Sequence, residues 1–132
     1  MHYLPHQIKD VALQAIEALG PAFERSLFQY AGEWLQRCEQ DQAQLWRDGD
    51  LWAVTEVQEL KTGRALHIVA MAGAYTPRLM EEMEAWGRHV GCRDAFFSGR
   101  RGWARRLPDY KIESVTMQKG LQPCHNSYRS HP

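Results

Sequence analysis

Two polar side chains stand on strand faces that are otherwise apolar, and each has the chemistry of a general base. Glu56 lies two residues after Val54, and Val69 and Met71 lie two and four residues after His67. Alternate residues of a strand share one face, so both polar groups are expected beside the core. Partial burial there moves the pKa of a carboxylate or imidazole and suits it to proton transfer. An ion pair for Glu56 and a hydrogen-bonded sheet histidine are the structural alternatives.

The passage ALHIVAMA-GAYTP-RLMEEMEAW indicates a strand, a loop and a helix, and the loop is typical of an anion site. Gly73 lets the backbone approach a ligand closely, while Thr76 and Pro77 supply an N-cap and a first-turn proline. The helix then directs its free N–H groups and positive dipole end toward the mouth of the sheet. Arg78 adds a positive charge. A simple connection between strand and helix is the alternative.

Residues 93–111 form the densest basic and aromatic stretch of the chain. The basic members are Arg93, Arg100, Arg101, Arg105, Arg106 and Lys111, and the aromatic members are Phe96, Phe97, Trp103 and Tyr110. Such a mixture binds single-stranded nucleic acid by stacking and charge, or a phosphorylated cofactor. Overall neutrality argues against nucleic acid. A short solvated helix anchored by Trp103 is the structural alternative.

Several other catalytic and metal-binding motifs are absent from the sequence. No GxxxxGK[ST] or GxGxxG pattern supports nucleotide hydrolysis or dinucleotide redox chemistry. The pair Ser98-Gly99 lacks the flanking glycines of a nucleophile elbow, so a serine hydrolase is not expected. Cys38, Cys92 and Cys124 lack metal-ligand spacing, which predicts free thiols and no metal site.

The elements that must position these residues follow from the hydrophobic periodicity. Helical stripes run from Ile8 to a stop at Gly20-Pro21, from Leu27 to Cys38, and from Arg78 to Gly91. Strands are predicted at 45–46, 51–59, 65–72, 94–97 and 110–117, with tight turns near residues 48–50 and 61–64. The strand, helix, strand order predicts a parallel pair joined by a right-handed crossover. Together these elements give one α/β layer structure around a mixed sheet.

The chain has 132 residues with 16 basic and 16 acidic side chains, as expected for one globular domain. Residues 1–60 carry 4 basic and 10 acidic groups (net −6), whereas residues 61–132 carry 12 and 6 (net +6). The second half therefore suits a polyanionic ligand and the first a cationic one. Residues 122–132 are predicted to form a flexible tail. With no long apolar stretch or signal sequence, a cytoplasmic location without membrane contact is expected.

Residues 24–121 resemble the small GNAT-like (GCN5-related N-acetyltransferase fold) acyltransferase proteins of bacteriophages. The likeness lies in the hairpin LWAVTEVQELKTGRALHIVAMAG, the helix ending HVGC, the strand DAFFSG and the string GRRGWARRLPDYKIESVTMQKGL. It implies a single GNAT-like α/β domain over 1–121, with N-terminal helices at 1–44 and the sheet and cofactor crossover at 45–121. The implied sheet is mixed and mostly antiparallel, with a central splayed parallel pair and helices on both faces. Acetyl-CoA or another acyl-CoA would lie between Ile68–Met71 and Asp94–Phe97.

The resemblance also implies roles for individual residues. The cofactor-binding set is Met71, Gly73, Ala74, Tyr75, Thr76 and Arg78. The Met71 amide would stabilise the thioester oxygen, and Glu56 would take a proton from an acceptor amine. Tyr110 is the nearest tyrosine to the usual general acid. The substrate-binding set is Arg100, Arg101 and Trp103.

Two functions are compatible with these features. The first is a phage-encoded enzyme that transfers an acetyl or acyl group from acyl-CoA to an amine of a host or phage target in the infected cell. The second is a catalytically degenerate GNAT-like protein that binds a host protein and modulates host metabolism or regulation. Departures from the superfamily favour the second. The loop Ala72–Pro77 has one glycine and no basic or amide residue at its start, and Arg105-Arg106-Leu107 stand where the tyrosine acid usually lies.

Overall fold

The computed structural model describes residues 1–23, 30–98, 103 and 105–110, which form a mixed α/β structure. In chain order the elements are β1 (His2–Tyr3), a 3-10 turn (Pro5–Gln7), α1 (Ile8–Phe23), α2 (Ala31–Glu39), β2 (Gln44–Asp48), β3 (Leu51–Leu60), β4 (Gly63–Ala72), α3 (Pro77–His89) and β5 (Cys92–Phe97). The start of the second helical stripe, the strand expected after Tyr110, and the tail lie outside the described residues.

The five strands form one sheet in the order β1-β2-β3-β4-β5. All neighbours are antiparallel except β4 and β5, which are parallel, as the crossover through α3 predicted. Two-residue turns close both hairpins, with Asp48 paired to Leu51 and Leu60 paired to Gly63. The turn at residues 61–62 fixes the register of β3 and β4 from Leu60–Gly63 as far as the pair Thr55–Ile68.

Helices cover both faces of the sheet, confirming the predicted fold class. The core on one face is formed by α1, α2 and side chains such as Trp52 and Val54. On the other face α3 packs against Leu66 and Ile68 of β4. Gly87 permits this approach, because a Cβ there would lie 3.2 Å from the Leu66 side chain.

A β-bulge interrupts β4 at Val69, three residues before the strand ends at Ala72. Val54 pairs with Ala70 and Thr55 pairs with Ile68, which leaves Val69 as an extra residue. Val69 faces the α1 and α2 core, but Met71 faces the α3 core. The prediction that Val69 and Met71 share one face is therefore wrong, since the inserted residue reverses the alternation.

Helix boundaries agree with the sequence at α3 and differ at α1. Thr76 is the N-cap of α3, and Gly91 lies just beyond its end with φ +92. The predicted stop of α1 at Gly20-Pro21 is wrong, because the helix continues through Pro21 to Phe23. The Phe23 side chain is buried in the core, and its burial stabilises the last turn against the proline.

Candidate active site

The parallel pairing of β4 and β5 ends at Ile68 and Phe97, and a cavity lies beside this end of the sheet. Ile68 is paired with Phe97, and the backbone N–H of Ser98 donates to the Ile68 carbonyl at 3.1 Å. From there β4 continues to Ala72 with no further β5 partner. The cavity has a volume of about 300 Å³ and is lined by Ala18, Pro21, Ala22, Ala70, Met71, Ala72, Gly73, Phe97, Ser98 and Trp103. It is a mainly apolar recess whose lining includes the side-chain hydroxyl of Ser98 and the indole of Trp103.

The two predicted base candidates meet in one hydrogen-bonded chain that ends at this cavity. Glu56 is the direct cross-strand partner of His67, and their Oε2 and Nδ1 atoms lie 2.8 Å apart. The other ring nitrogen, His67 Nε2, lies 2.8 Å from Ser98 Oγ. Carboxylate, imidazole and hydroxyl therefore form a continuous relay, called below the Glu56–His67–Ser98 relay. Both distances lie within the range of a working proton-transfer contact.

Two side chains contact His67 Nδ1: Glu56 Oε2 at 2.8 Å and, at the longer distance of 3.3 Å, the Gln58 amide nitrogen. Glu56 Oε2 is an acceptor, so the contact requires a proton on Nδ1. The Gln58 amide nitrogen donates to the same Glu56 oxygen at 3.0 Å, which holds the carboxylate in place. The lone pair of Nε2 is then free to accept the hydroxyl proton of Ser98. This arrangement, with the proton on Nδ1, is the one in which Nε2 can act as a base toward Ser98.

Packing fixes the imidazole ring while leaving the hydroxyl accessible. His67 is buried, at 7% exposure, and its ring stacks on Phe96 with centroids 4.4 Å apart and planes 11° apart. Ser98 by contrast is exposed. A ring held by stacking and by hydrogen bonds at both nitrogens has little freedom to leave its plane. The relay thus joins a rigid buried base to a hydroxyl that a ligand can reach.

The predicted anion site at the start of α3 already holds a carboxylate. Thr76 Oγ1 donates to Asp48 Oδ2 at 2.6 Å instead of capping a helix amide, and Arg78 donates to both Asp48 oxygens at 2.6 and 3.2 Å. These hydrogen bonds from Arg78 and Thr76 lower the pKa of Asp48 to about 2. The Arg78 side chain remains 80% exposed on its outer side. Sequence reasoning missed Asp48, which lies some 28 residues earlier in the chain.

Gly73, which was predicted to bind the cofactor, packs against the turn between β2 and β3. Its φ is +116, and a Cβ at this position would lie 1.9 Å from the Asp50 carbonyl oxygen. Only glycine therefore allows the end of β4 to lie against the turn between β2 and β3. Gly73 also lines the cavity, so its backbone remains within reach of a ligand. The neighbouring Ala74 is exposed.

Of the three predicted aromatic site residues, Trp103 lines the cavity, Tyr75 contacts Trp103, and Tyr110 contacts α3. Trp103 lines the cavity and meets Tyr75 and Phe97 edge-on, at centroid distances of 6.1 and 6.0 Å. Partial burial, with the charges of Glu84, Glu81 and Asp109, raises the pKa of Tyr75. Tyr110 packs against α3, where its hydroxyl donates to Glu84 at 2.7 Å. Burial and this hydrogen bond raise the pKa of Tyr110. The structure does not bring Tyr110 to Glu56.

The remaining site predictions concern residues or groups outside this arrangement. Arg100 and Arg101 lie outside the described residues. Within the described part of the chain no cluster of three or more His, Cys, Asp or Glu is placed to hold a metal ion. In the same residues, no helix has the length and apolarity to span a membrane.

Neither a protein-family model nor a curated protein sequence matches this chain, whereas solved structures do. An aminoglycoside acetyltransferase from an uncultured soil metagenomic sample, solved with sisomicin, has a TM-score of 0.64 at 12% identity, over 92% of this chain and 95% of its own. Glucosamine-6-phosphate N-acetyltransferase from Arabidopsis thaliana has a TM-score of 0.55 at 15% identity, over 87% and 94%.

A third neighbour, the aminoglycoside N-acetyltransferase AAC(6')-Iy solved with CoA, has a TM-score of 0.56 at 8% identity, over 90% of this chain and 91% of its own. Similarity at these identities concerns the backbone, and it extends over about nine-tenths of each chain. The chain therefore has the GNAT acetyltransferase fold.

Proposed function

We propose that this protein is an N-acyltransferase that takes an acyl group from acyl-CoA and passes it to an amine. The observation that carries the proposal is the cavity of about 300 Å³ at the end of the β4–β5 pairing, with a histidine relay that ends at the cavity wall. The fold neighbours named above are acetyltransferases, and one of them was solved with CoA. A fold alone does not determine which reaction a protein catalyses, so the proposal also depends on the side chains of the relay.

The cavity and the loop 73–78 differ in how well they suit acyl-CoA: the cavity suits the thioester arm better than the loop suits the diphosphate. When bound, acyl-CoA supplies an acyl group activated as a thioester. The apolar lining from α1 and β4, at the part of β4 that extends past its pairing with β5, suits the thioester arm. At the loop 73–78, Arg78 faces solvent but is paired with Asp48. A diphosphate there must compete with an internal carboxylate, so we expect acyl-CoA to bind weakly at that end.

The relay supplies the proton transfer that amide formation requires. An alkyl amine with a pKa of about 10.4 must lose its ammonium proton before it attacks. The nitrogen loses a second proton as the amide forms. We assign that proton to His67, held by Glu56, so that Glu56 acts through the imidazole. Backbone amides of β4 beyond the bulge, including that of Met71, are assigned to the carbonyl oxygen. Tyr110 remains a prediction as the acid.

The acceptor is proposed from charge and from the neighbours. Residues 1–60 carry a net charge of −6, and they include α1, which lines the cavity. A cationic amine therefore suits this side. A first panel contains sisomicin, which is bound in one fold neighbour, and glucosamine 6-phosphate, for which another is named. The bacteriophage source, the host target and the cytoplasmic location are part of the same proposal through the sequence resemblance.

Calorimetry with acetyl-CoA tests the proposed site. Ala22 projects from α1 into the cavity wall, so Ala22→Trp is expected to abolish binding that the wild type shows. Leu13→Trp places the same indole on the same helix at a site that is 85% exposed, and it should leave binding unchanged. Absence of binding by the wild type, or equal binding by Ala22→Trp, would overturn the proposal.

One observation favours the second function, a GNAT-like protein that binds a host protein without chemistry. The Asp48 carboxylate holds Thr76 and Arg78, the two side chains on which a diphosphate would rest. If this contact excludes the donor, the wild type will show no acetyl-CoA binding but will capture a stoichiometric partner from bacterial lysate. Transfer of acetyl from acetyl-CoA to any amine of the panel would refute this function.

A further inference from the structure

From the Glu56–His67–Ser98 relay we infer that Ser98 is a nucleophile, which carries the acyl group as an ester between donor and acceptor. This inference rests on the proposed function and specifies its route. Direct transfer needs a base near the amine, but it does not need a hydroxyl between that base and the cavity. Here Ser98 Oγ occupies that intermediate position, 2.8 Å from His67 Nε2 and exposed at the wall of the cavity.

Each of the three roles of a nucleophilic relay has its own residue. The Ser98 hydroxyl is the nucleophile, His67 Nε2 is the base, and Glu56 holds the opposite ring nitrogen at 2.8 Å. Such relays are recognised by geometry and role, whatever the order of the residues in the chain. The order here is Glu, His, Ser along β3, β4 and the end of β5. The missing glycine pattern at Ser98 excludes one kind of turn and leaves this geometry unaffected.

The backbone and the neighbouring ring hold Ser98 in place. Its N–H donates to the Ile68 carbonyl at 3.1 Å, at the last step of the parallel ladder. Phe96 lies two residues earlier and stacks on His67. Both partners of the Oγ–Nε2 contact are thus fixed by the sheet itself, which is the rigidity that nucleophilic catalysis requires.

The two half-reactions balance in atoms and electrons. In the first, Ser98 Oγ attacks the thioester carbonyl carbon and His67 Nε2 takes the hydroxyl proton. The carbon–sulfur bond then breaks, and the same proton passes to the departing thiolate, giving free CoA and an ester on Ser98. In the second, the neutral amine attacks the ester carbonyl and gives a proton to His67. That proton returns to Ser98 Oγ as the carbon–oxygen bond breaks and the amide leaves.

Two measurements on the full-length protein without an acceptor test the inference. Labelled CoA incubated with unlabelled acetyl-CoA should exchange its label into acetyl-CoA, because the first half-reaction is reversible. Acid quenching followed by peptide mapping should place one acetyl group on Ser98. Ser98→Ala should lose both signals by about 100-fold or more. Ser98→Cys should regain exchange and form a hydroxylamine-sensitive thioester at position 98.

Thr62→Ala serves as the matched control, since this exposed hydroxyl lies in the β3–β4 turn away from the relay. It should keep full exchange, and thermal unfolding should show that the Ser98 variants are folded. Wild-type protein that acetylates an amine without exchange or acetyl-Ser98, with Ser98→Ala equally active, would overturn the inference but leave the proposed function standing. Wild-type protein that neither binds nor consumes acetyl-CoA would overturn both.

Discussion

Replacing Gly73 by alanine should destabilise the protein strongly, for reasons independent of any ligand. The new Cβ would lie 1.9 Å from the Asp50 carbonyl oxygen, so the β2–β3 turn must move by more than 1 Å. A φ of +116 adds a backbone cost of about 1–3 kcal/mol for a residue other than glycine. Overpacking against backbone adds about 1–3 kcal/mol. We expect the free energy of unfolding to fall by about 2–6 kcal/mol, a large share of a domain's stability.

Gly49→Ala is the matched comparison for this prediction. Gly49 has φ +61, but a Cβ there meets nothing within 4 Å, so only the backbone cost of about 1–2 kcal/mol applies. Urea denaturation followed by tryptophan fluorescence measures both variants against the wild type. Equal losses for the two variants would refute the reasoning, because they would show that the contact with Asp50 adds nothing. If Gly73→Ala also loses acyl-CoA binding, we attribute the loss to displacement of the β2–β3 turn and not to a methyl group that blocks the site.

The remaining predictions concern charge, proton transfer and thiol reactivity. Asp48→Asn should strengthen acetyl-CoA binding about two- to fivefold at neutral pH, measured by calorimetry, because Arg78 loses its competing carboxylate. Since the folded pKa of Asp48 is about 2, below its ordinary 3.8, the wild type should lose stability as the pH falls from about 4 to about 2. Acid titration of Asp48→Asn should lack this component, and an unchanged titration would count against the contact. His67→Gln should slow acetyl transfer at least about 100-fold while donor binding persists, and unchanged kcat would remove His67 from the mechanism. Burial raises the pKa of Cys38 to about 12, so iodoacetamide at pH 8 should label it only after unfolding, as peptide mapping would show.

The pairing of the two base candidates was within reach of the sequence. A two-residue turn at Lys61-Thr62 pairs Leu60 with Gly63, and each step back along β3 matches one step forward along β4. Four steps bring Glu56 directly opposite His67. Two polar residues on apolar strand faces, each of which has a structural explanation on its own, thereby become one interacting pair.

Ser98 and Asp48 could not be placed in the same way. The register between β4 and β5 depends on how α3 packs across the sheet, and local sequence does not encode this packing. Asp48 reaches Arg78 because the β2–β3 turn lies against Gly73, a contact between distant parts of the chain. The bulge at Val69 is also a tertiary feature, and it reversed the predicted face of Met71. Periodicity thus located β2 to β5 and the helices, but it missed β1 and the contacts between distant strand ends.

The two ends of the proposed acyl-CoA site favour the same route of transfer. At the loop 73–78, pairing of Arg78 with Asp48 weakens the attraction for a diphosphate, so the donor complex should be short-lived. Direct transfer requires donor and amine to be bound together, and a short-lived donor complex makes this coincidence rare. An acyl group held on Ser98 remains after the donor has dissociated, so the amine can arrive later. Strengthening donor binding through Asp48→Asn should then accelerate only the first half-reaction, at low acetyl-CoA, and leave deacylation by the amine unchanged.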